Sequence, residues 1–277
     1  MPDALATWID GCRADSLPLP DRGLDYGDGL FETLLAVNGR IPLRDLHFDR
    51  LRSGLAALHF PPLNDTVARH LDAALATLDA KGNYSIRVTV TRGSAPRGYA
   101  PPADPEARIV LSAQPMAYDP MTMQRPARVG VSKVSWGKQP ALAGVKHLNR
   151  LEQVLAARER DVADWDEALM LDQAGALISV TAGNLFLLSG ATLLTPVLED
   201  CGIAGTRRRF LIERAADLGL NVRETSLSLD DLKAADEAFY CNSLIGLRSI
   251  GEFGGLQWPK QPVCTQLFDH YCKELAA

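Results

Sequence analysis

Lys146 stands in Ala141-Leu-Ala-Gly-Val-Lys-His-Leu-Asn-Arg150, between a short apolar stretch and an amphipathic run whose spacing predicts a helix from about Leu148 to Arg160. Apolar neighbours withhold solvation, and the positive end of a helix dipole disfavours an ammonium, so both lower the amine's pKa. A partly desolvated amine of that kind is what Schiff-base chemistry on a carbonyl needs. Taken alone, the pattern also fits a structural lysine ahead of a helix. A second chemical signal is Gly202-Ile-Ala-Gly-Thr-Arg-Arg-Arg-Phe210, a glycine-containing turn feeding a helix. Free backbone N–H groups and a positive dipole end make such a terminus an anion site, and three arginines add charge. The alternative is an ordinary helix start with a solvated basic face. Tyr26-Gly-Asp-Gly-Leu-Phe31 offers glycines for close backbone approach and two aromatic rings that can wall a pocket, although Phe31 equally suits a core. Arg97 and Tyr99 follow a Gly-Ser-Ala-Pro loop that does not look like core.

Elements must position these groups. Ala6–Gly11 and Leu30–Val37 read as strands, the second turning at Asn38-Gly39 so that Arg40-Ile-Pro-Leu43 returns as a hairpin partner. Leucines at 43, 46, 51, 55 and 58 predict a helix, and Asn64 or Asp65 caps a second running to about Asp79. Strands follow at Tyr84–Arg92 and Ile109–Ala113, and the Pro/Met-rich stretch 114–125 has little periodicity. Beyond it, strands are expected at Arg128–Ser135, at Glu167–Asp172 paired with Leu177–Val180, and at Leu185–Leu188 paired with Thr192–Thr195. Thr206–Leu218 reads as a helix closed by Gly219, Leu229–Ala234 as a short helix, and Asn221–Ser226 and Ala238–Cys241 as strands. The mixture implies an α+β chain of two domains, 1–114 and 126–277, joined by a linker at 115–125.

Composition narrows the function classes. The chain has 277 residues, 47% of them hydrophobic, and 34 acidic against 29 basic side chains. A net charge of -5 excludes the global basic field that nucleic-acid binding exploits. No apolar run approaches the roughly 20 residues of a membrane span, and Met1–Trp8 lacks the n- and h-regions of a secretion signal, so a cytoplasmic location is expected. Five cysteines without a CxxC pair or zinc-type spacing read as free thiols, with no metal site.

Lys146-His-Leu-Asn-Arg-Leu-Glu-Gln-Val-Leu155 resembles the lysine segment of the fold-type IV pyridoxal-phosphate enzymes, and within them the aminodeoxychorismate lyases. Asp21–Thr33, His47–Leu51, Thr91–Tyr99, Gly183–Phe186, Gly202–Arg207 and Ala235–Ser243 agree with that family and follow in its order. The resemblance implies a D-amino-acid-transaminase-like fold of a small N-terminal α/β domain and a larger C-terminal cofactor domain. It implies a homodimer with pyridoxal 5'-phosphate bound to Lys146, which serves as Schiff-base amine and as general base. The phosphate falls to Gly205, Thr206, Ser243 and Arg50, the last of which otherwise reads as a surface arginine. Asn184, or Thr181, lies near the cofactor ring, and Tyr26, Phe31, Arg97, Tyr99 and Asn242 face a small substrate bearing carboxylates. The implied reaction converts 4-amino-4-deoxychorismate to 4-aminobenzoate and pyruvate. A D-amino-acid or branched-chain aminotransferase, and a non-catalytic cofactor-binding homologue, are the alternatives. One position departs from the family. Counting five residues back from Asn184, where a glutamate normally keeps the pyridine nitrogen protonated, reaches Ser179. A serine weakens the cofactor as an electron sink, and transamination suffers most. Glu167 and Asp172 are the nearest upstream carboxylates.

Overall fold

The computed structural model describes residues 5–276. They divide into two compact units: the chain up to Asp119 together with Val145–Asn149, and Pro120–Gly144 together with Arg150 onward. The segment carrying Lys146 therefore belongs to the first unit, which corrects a continuous second domain over 126–277. The reason is backbone pairing with a strand, described below, that no local pattern announces.

In the first unit, strands β1 (Ala6–Ile9), β2 (Cys12–Arg13), β3 (Gly29–Val37), β4 (Asn83–Thr91) and β5 (Arg108–Pro115) form one antiparallel sheet in the order β2-β1-β5-β4-β3. Leu30, Leu34 and Ala36 of β3 enter one core with Ile86, Val88 and Val90 of β4, Leu51 and Leu55 of α2 (Arg44–Ala57), and Val67 and Leu71 of α3 (Asn64–Leu75). Alternation along β3 sends Phe31 to the other face and leaves Glu32 on the helix side. The expected hairpin return after Asn38-Gly39 is reduced to a single bridge between Val37 and Arg40, because the chain enters α2 at Arg44. Asn64 does not cap α3; its amide donates to the Phe48 carbonyl at 2.8 Å and ties the two helices. A short helix α1 (Arg22–Tyr26), capped by Asp21, was not expected from the pattern.

The second unit holds one mixed sheet. Its strands are β6 (Ala127–Val131), β7 (Glu167–Leu171), β8 (Leu177–Val180), β9 (Asn184–Ser189), β10 (Thr192–Pro196), β11 (Asn221–Thr225), β12 (Glu237–Asn242), β13 (Gly246–Phe253) and β14 (Leu256–Gln257). They run in the order β11-β10-β9-β12-β13-β6-β7-β8, with β14 on β13, and a Val180–Gly183 bridge returns the end of β8 toward β9. Leu169, Leu177, Val180, Leu185, Leu187, Ala238 and Ile250 fill the core inside this curl. Helix α4 spans Leu151–Val162, α5 Thr206–Arg214, α6 Leu229–Ala234 and α7 Pro262–Ala276. α5 gives way to a 3-10 turn at Ala215–Leu218, and Gly219 closes it with φ 70°, the left-handed conformation its position calls for. All five cysteines are free thiols.

Candidate active site

β3 is the edge of its sheet, so its outer N–H and C=O groups await a partner. The Lys146 segment supplies it. Phe31 N–H donates to the Lys146 carbonyl at 3.0 Å, Leu148 N–H donates to the Gly29 carbonyl at 3.0 Å, and Leu30 and His147 form an antiparallel bridge. Lys146 is thus held extended against a strand, and α4 begins only at Leu151. A dipole acts over the first turn alone, so the helix-end argument for this lysine is replaced by its seat on β3. Its Nζ lies 4.1 Å from the centroid of the Phe31 ring, and the Arg87 guanidinium carbon lies 4.0 Å from the same ring. Burial lowers the Arg87 pKa. Phe31, 8% exposed, therefore carries two cations on the sheet face that points away from the helices.

On the helix face, Glu32 is buried among α2 side chains. Arg50 grips it with Nε at 2.7 Å and Nη2 at 2.6 Å, and His47 Nδ1 lies 2.7 Å from the same carboxylate. Burial pushes the Glu32 carboxyl up, but Arg50, with His47 added, outweighs it and holds the group at about 2. Arg50 is consequently no surface arginine: its side chain is 11% exposed. Glu32 accounts for two of its N–H bonds, and sequence reading missed this carboxylate. An acid inside an apolar strand, with His47 and Arg50 three residues apart on a helix, was the available signal. Tyr26 sits in α1 with its ring 5.6 Å from that of Tyr99, and its hydroxyl accepts the Gly98 N–H at 3.2 Å. Arg22, also missed, is buried and straps the same loop through the Gly98 and Tyr99 carbonyls, each at 2.8 Å. Arg97 and Tyr99 themselves are exposed.

The second unit gathers Asn184, Gly205, Thr206, Asn242 and Ser243. Gly205 is the N-cap of α5 and makes no side-chain cap, and a helix start of this kind is the geometry that anion sites use. Asn184 at the start of β9 donates its amide to the Ile203 carbonyl at 2.8 Å. Asn242 at the end of β12 donates to the Ala182 carbonyl and accepts the N–H groups of Leu244 and Ile245, so its side chain shapes the turn that carries Ser243. The three arginines after Thr206 do not form a solvated basic face. Arg207 is buried against Tyr271 and donates to the Ser243 carbonyl at 3.3 Å, tying the turn to α5. Arg208 is buried too and is neutralised by Glu224 at 2.6 Å, while exposed Arg209 pairs with Glu213 at 2.7 Å. Arg208 and Arg209 thus each have a carboxylate partner, and Arg207 is tied to Tyr271 and the Ser243 turn.

Ser179 lies buried on β8, where its Oγ accepts the indole N–H of Trp136 at 2.9 Å. Neither alternative carboxylate is offered for a ligand. Asp172 pairs with Lys138 at 3.0 Å and accepts the N–H groups of Ala174 and Ala176. Glu167 is buried, which raises its pKa, and accepts the Ala168 N–H at 2.9 Å. Thr181 donates to the Ala168 carbonyl at 3.3 Å.

Residues 29–253 match the sequence profile of the family described as Amino-transferase class IV. The chain belongs to that family. Among class IV relatives, an aminodeoxychorismate lyase of Vibrio harveyi is 33% identical over 258 residues, 92% of this chain and 93% of its own. An aminodeoxychorismate lyase of Bacillus subtilis is 28% identical, covering 81% and 77%. The crystal structure of 4-amino-4-deoxychorismate lyase from Pseudomonas aeruginosa superposes with a TM-score of 0.91 at 39% identity, covering 98% of this chain and all of that one.

In this class IV chain the cradle at α5 is built around a missing side chain. A Cβ on Gly205 would fall 1.9 Å from Asn184 Oδ1. Gly205→Ala is therefore expected to dislodge the Asn184 amide from Ile203 and to cost about 1–3 kcal/mol of stability. In an Asn184→Ala background the same change should cost much less. Equal costs in the two backgrounds, read by chemical denaturation, would refute the close approach.

Proposed function

We propose that this class IV chain is a pyridoxal-phosphate-dependent aminodeoxychorismate lyase, converting 4-amino-4-deoxychorismate to 4-aminobenzoate and pyruvate. The observation that carries the reading is the hydroxyl at Ser179, gripped by Trp136 where an aminotransferase of this class needs a carboxylate. The likeness to lyases over almost the whole chain supports it.

The donor set fits the cofactor. The start of α5 at Gly205 and Thr206, with the Ser243 turn beside it, suits a phosphate, and the glycine leaves the close approach that a Cβ would fill. Arg50 is assigned as the phosphate's charge partner and Asn184 and Ser179 as neighbours of the ring. Bound pyridoxal phosphate supplies an aldehyde for amines and a ring that withdraws electrons. Lys146 supplies the amine that fixes the aldehyde. The free Lys146 Nζ would take the proton from substrate C4 and return it to the methylene carbon of the departing enolpyruvate. The proton balance closes, because the ring loses one hydrogen in becoming aromatic and pyruvate gains one. Phe31 positions Nζ, and Arg87 on the same ring sets a positive field at a site that receives carboxylates. Tyr26, Arg97 and Tyr99 on the Arg22-strapped loop, with Asn242, are assigned to the substrate.

Assembly as a homodimer is part of the proposal. Leu151, Val154, Leu155 and Val162 leave an exposed apolar stripe on α4, which suits a subunit contact. Sedimentation equilibrium should return twice the 30.1 kDa chain mass, and a monomer at micromolar concentration would refute it. The function itself is tested by release of both products from the loaded protein, with Lys146→Ala alongside.

A further inference from the structure

Trp136 follows β6 and is fixed by its own backbone, which donates to the Leu171 carbonyl at 2.8 Å. Its indole N–H can only donate, so in the 2.9 Å bond to Ser179 the serine oxygen is the acceptor. The hydroxyl hydrogen is thereby turned away from Trp136. Among the described residues, the Trp136 indole is the only side-chain partner of this hydroxyl, and no protein group accepts its hydrogen. Trp136 is 5% exposed and Ser179 4%, and a buried donor left without an acceptor costs free energy. The pair is thus complementary to a ligand atom that offers a lone pair.

The surroundings have the same polarity. The Arg150 guanidinium carbon lies 5.5 Å from the centre of the Trp136 ring. Glu152, the carboxylate on the first turn of α4, accepts the Gly137 N–H at 2.9 Å, and Asp172 is committed to Lys138 and its turn. Both carboxylates thus accept from protein donors, and neither is hydrogen-bonded to Ser179.

We infer that Trp136 is a positioning residue that fixes the Ser179 hydroxyl as a hydrogen-bond donor, so that the ring nitrogen of bound pyridoxal phosphate is held unprotonated. The inference rests on the cofactor reading above. It explains how the chain dispenses with an acid at this position. An unprotonated ring withdraws electrons less strongly, which handicaps transamination, whereas expulsion of enolpyruvate is driven by the aromatic product.

The test is nitrogen-15 NMR of holoenzyme reconstituted with ring-labelled pyridoxal phosphate, titrated with pH. Wild type should resonate as an unprotonated pyridine across the range in which the fold persists, and Ser179→Glu as a pyridinium. Trp136→Phe frees the hydroxyl to accept, so ring-nitrogen proton affinity should rise about tenfold. Benzothienylalanine at position 136, which keeps the shape of tryptophan but lacks the N–H, should act like Trp136→Phe and preserves the packing if phenylalanine does not. A pyridinium signal in wild type, or titration in the benzothienylalanine protein indistinguishable from wild type, overturns the inference. Failure of wild type to retain the label overturns the cofactor reading itself, a result distinct from a retained but protonated ring.

Discussion

Lys146→Ala is expected to lower release of pyruvate and 4-aminobenzoate by at least about 10³-fold, because the proposed mechanism gives one amine the roles of cofactor anchor and of base at C4. The fold should survive. The backbone bonds that seat the segment on β3, from Phe31 N–H and Leu148 N–H, do not involve the side chain. The losses include the contact between Nζ and the Phe31 ring, worth about 0.5–1 kcal/mol. The variant should therefore unfold near the wild-type midpoint while the visible absorbance of the loaded protein changes. An unchanged absorbance band would remove Lys146 from the cofactor, and a collapse in stability would mean that the lysine is structural.

Arg50→Ala should be the most destabilising single change on the helix face of the first sheet, at about 3–5 kcal/mol, because it strands a buried carboxylate with His47 alone. The pH dependence gives an independent reading. Glu32 has its folded pKa depressed from 4.5 to about 2, so its stabilisation is fully present above pH 4.5 and is lost as pH falls toward 2. A fall of about 2.5 pH units at about 1.36 kcal/mol each amounts to about 3 kcal/mol. Urea denaturation from about pH 7 to about pH 3 should show about 2 kcal/mol of this decline in wild type. In Arg50→Ala, burial dominates and the carboxyl protonates more readily, so the decline should flatten or reverse. A parallel decline in the two proteins would assign the acid sensitivity to other groups. Because Arg50 is also the assigned phosphate partner, cofactor affinity is best compared in Glu32→Gln, which keeps the guanidinium.

Much was legible in the sequence wherever a pattern is local. The helix expected over Leu43–Leu58 is Arg44–Ala57, the pairing at Ser189-Gly190 joins β9 to β10, Leu229–Ala234 is α6, and Gly219 ends the turn after α5. Each rests on periodicity or on a residue with a restricted or permissive backbone, information carried within a few positions. The motif segments likewise placed the chain in its family and singled out the lysine. Helix α7 and strand β13 carry comparable local patterns that the reading passed over.

Tertiary structure alone decided the electrostatics of the candidate site. Arg50 and Glu32 are 18 residues apart, Trp136 and Ser179 are 43 apart, and Arg207 reaches Tyr271 across 64. Sheet order and helix packing bring such pairs together, and nothing in either partner's neighbourhood encodes the other. For the same reason the lysine's surroundings were misread: its letters suggested a helix entrance, but an open strand edge captured its backbone first. The residue types and their order set out which chemistry the chain can attempt. Which charges are spent inside the fold and which remain for a ligand was settled by burial, since a group removed from water must find its partner wherever the register puts one.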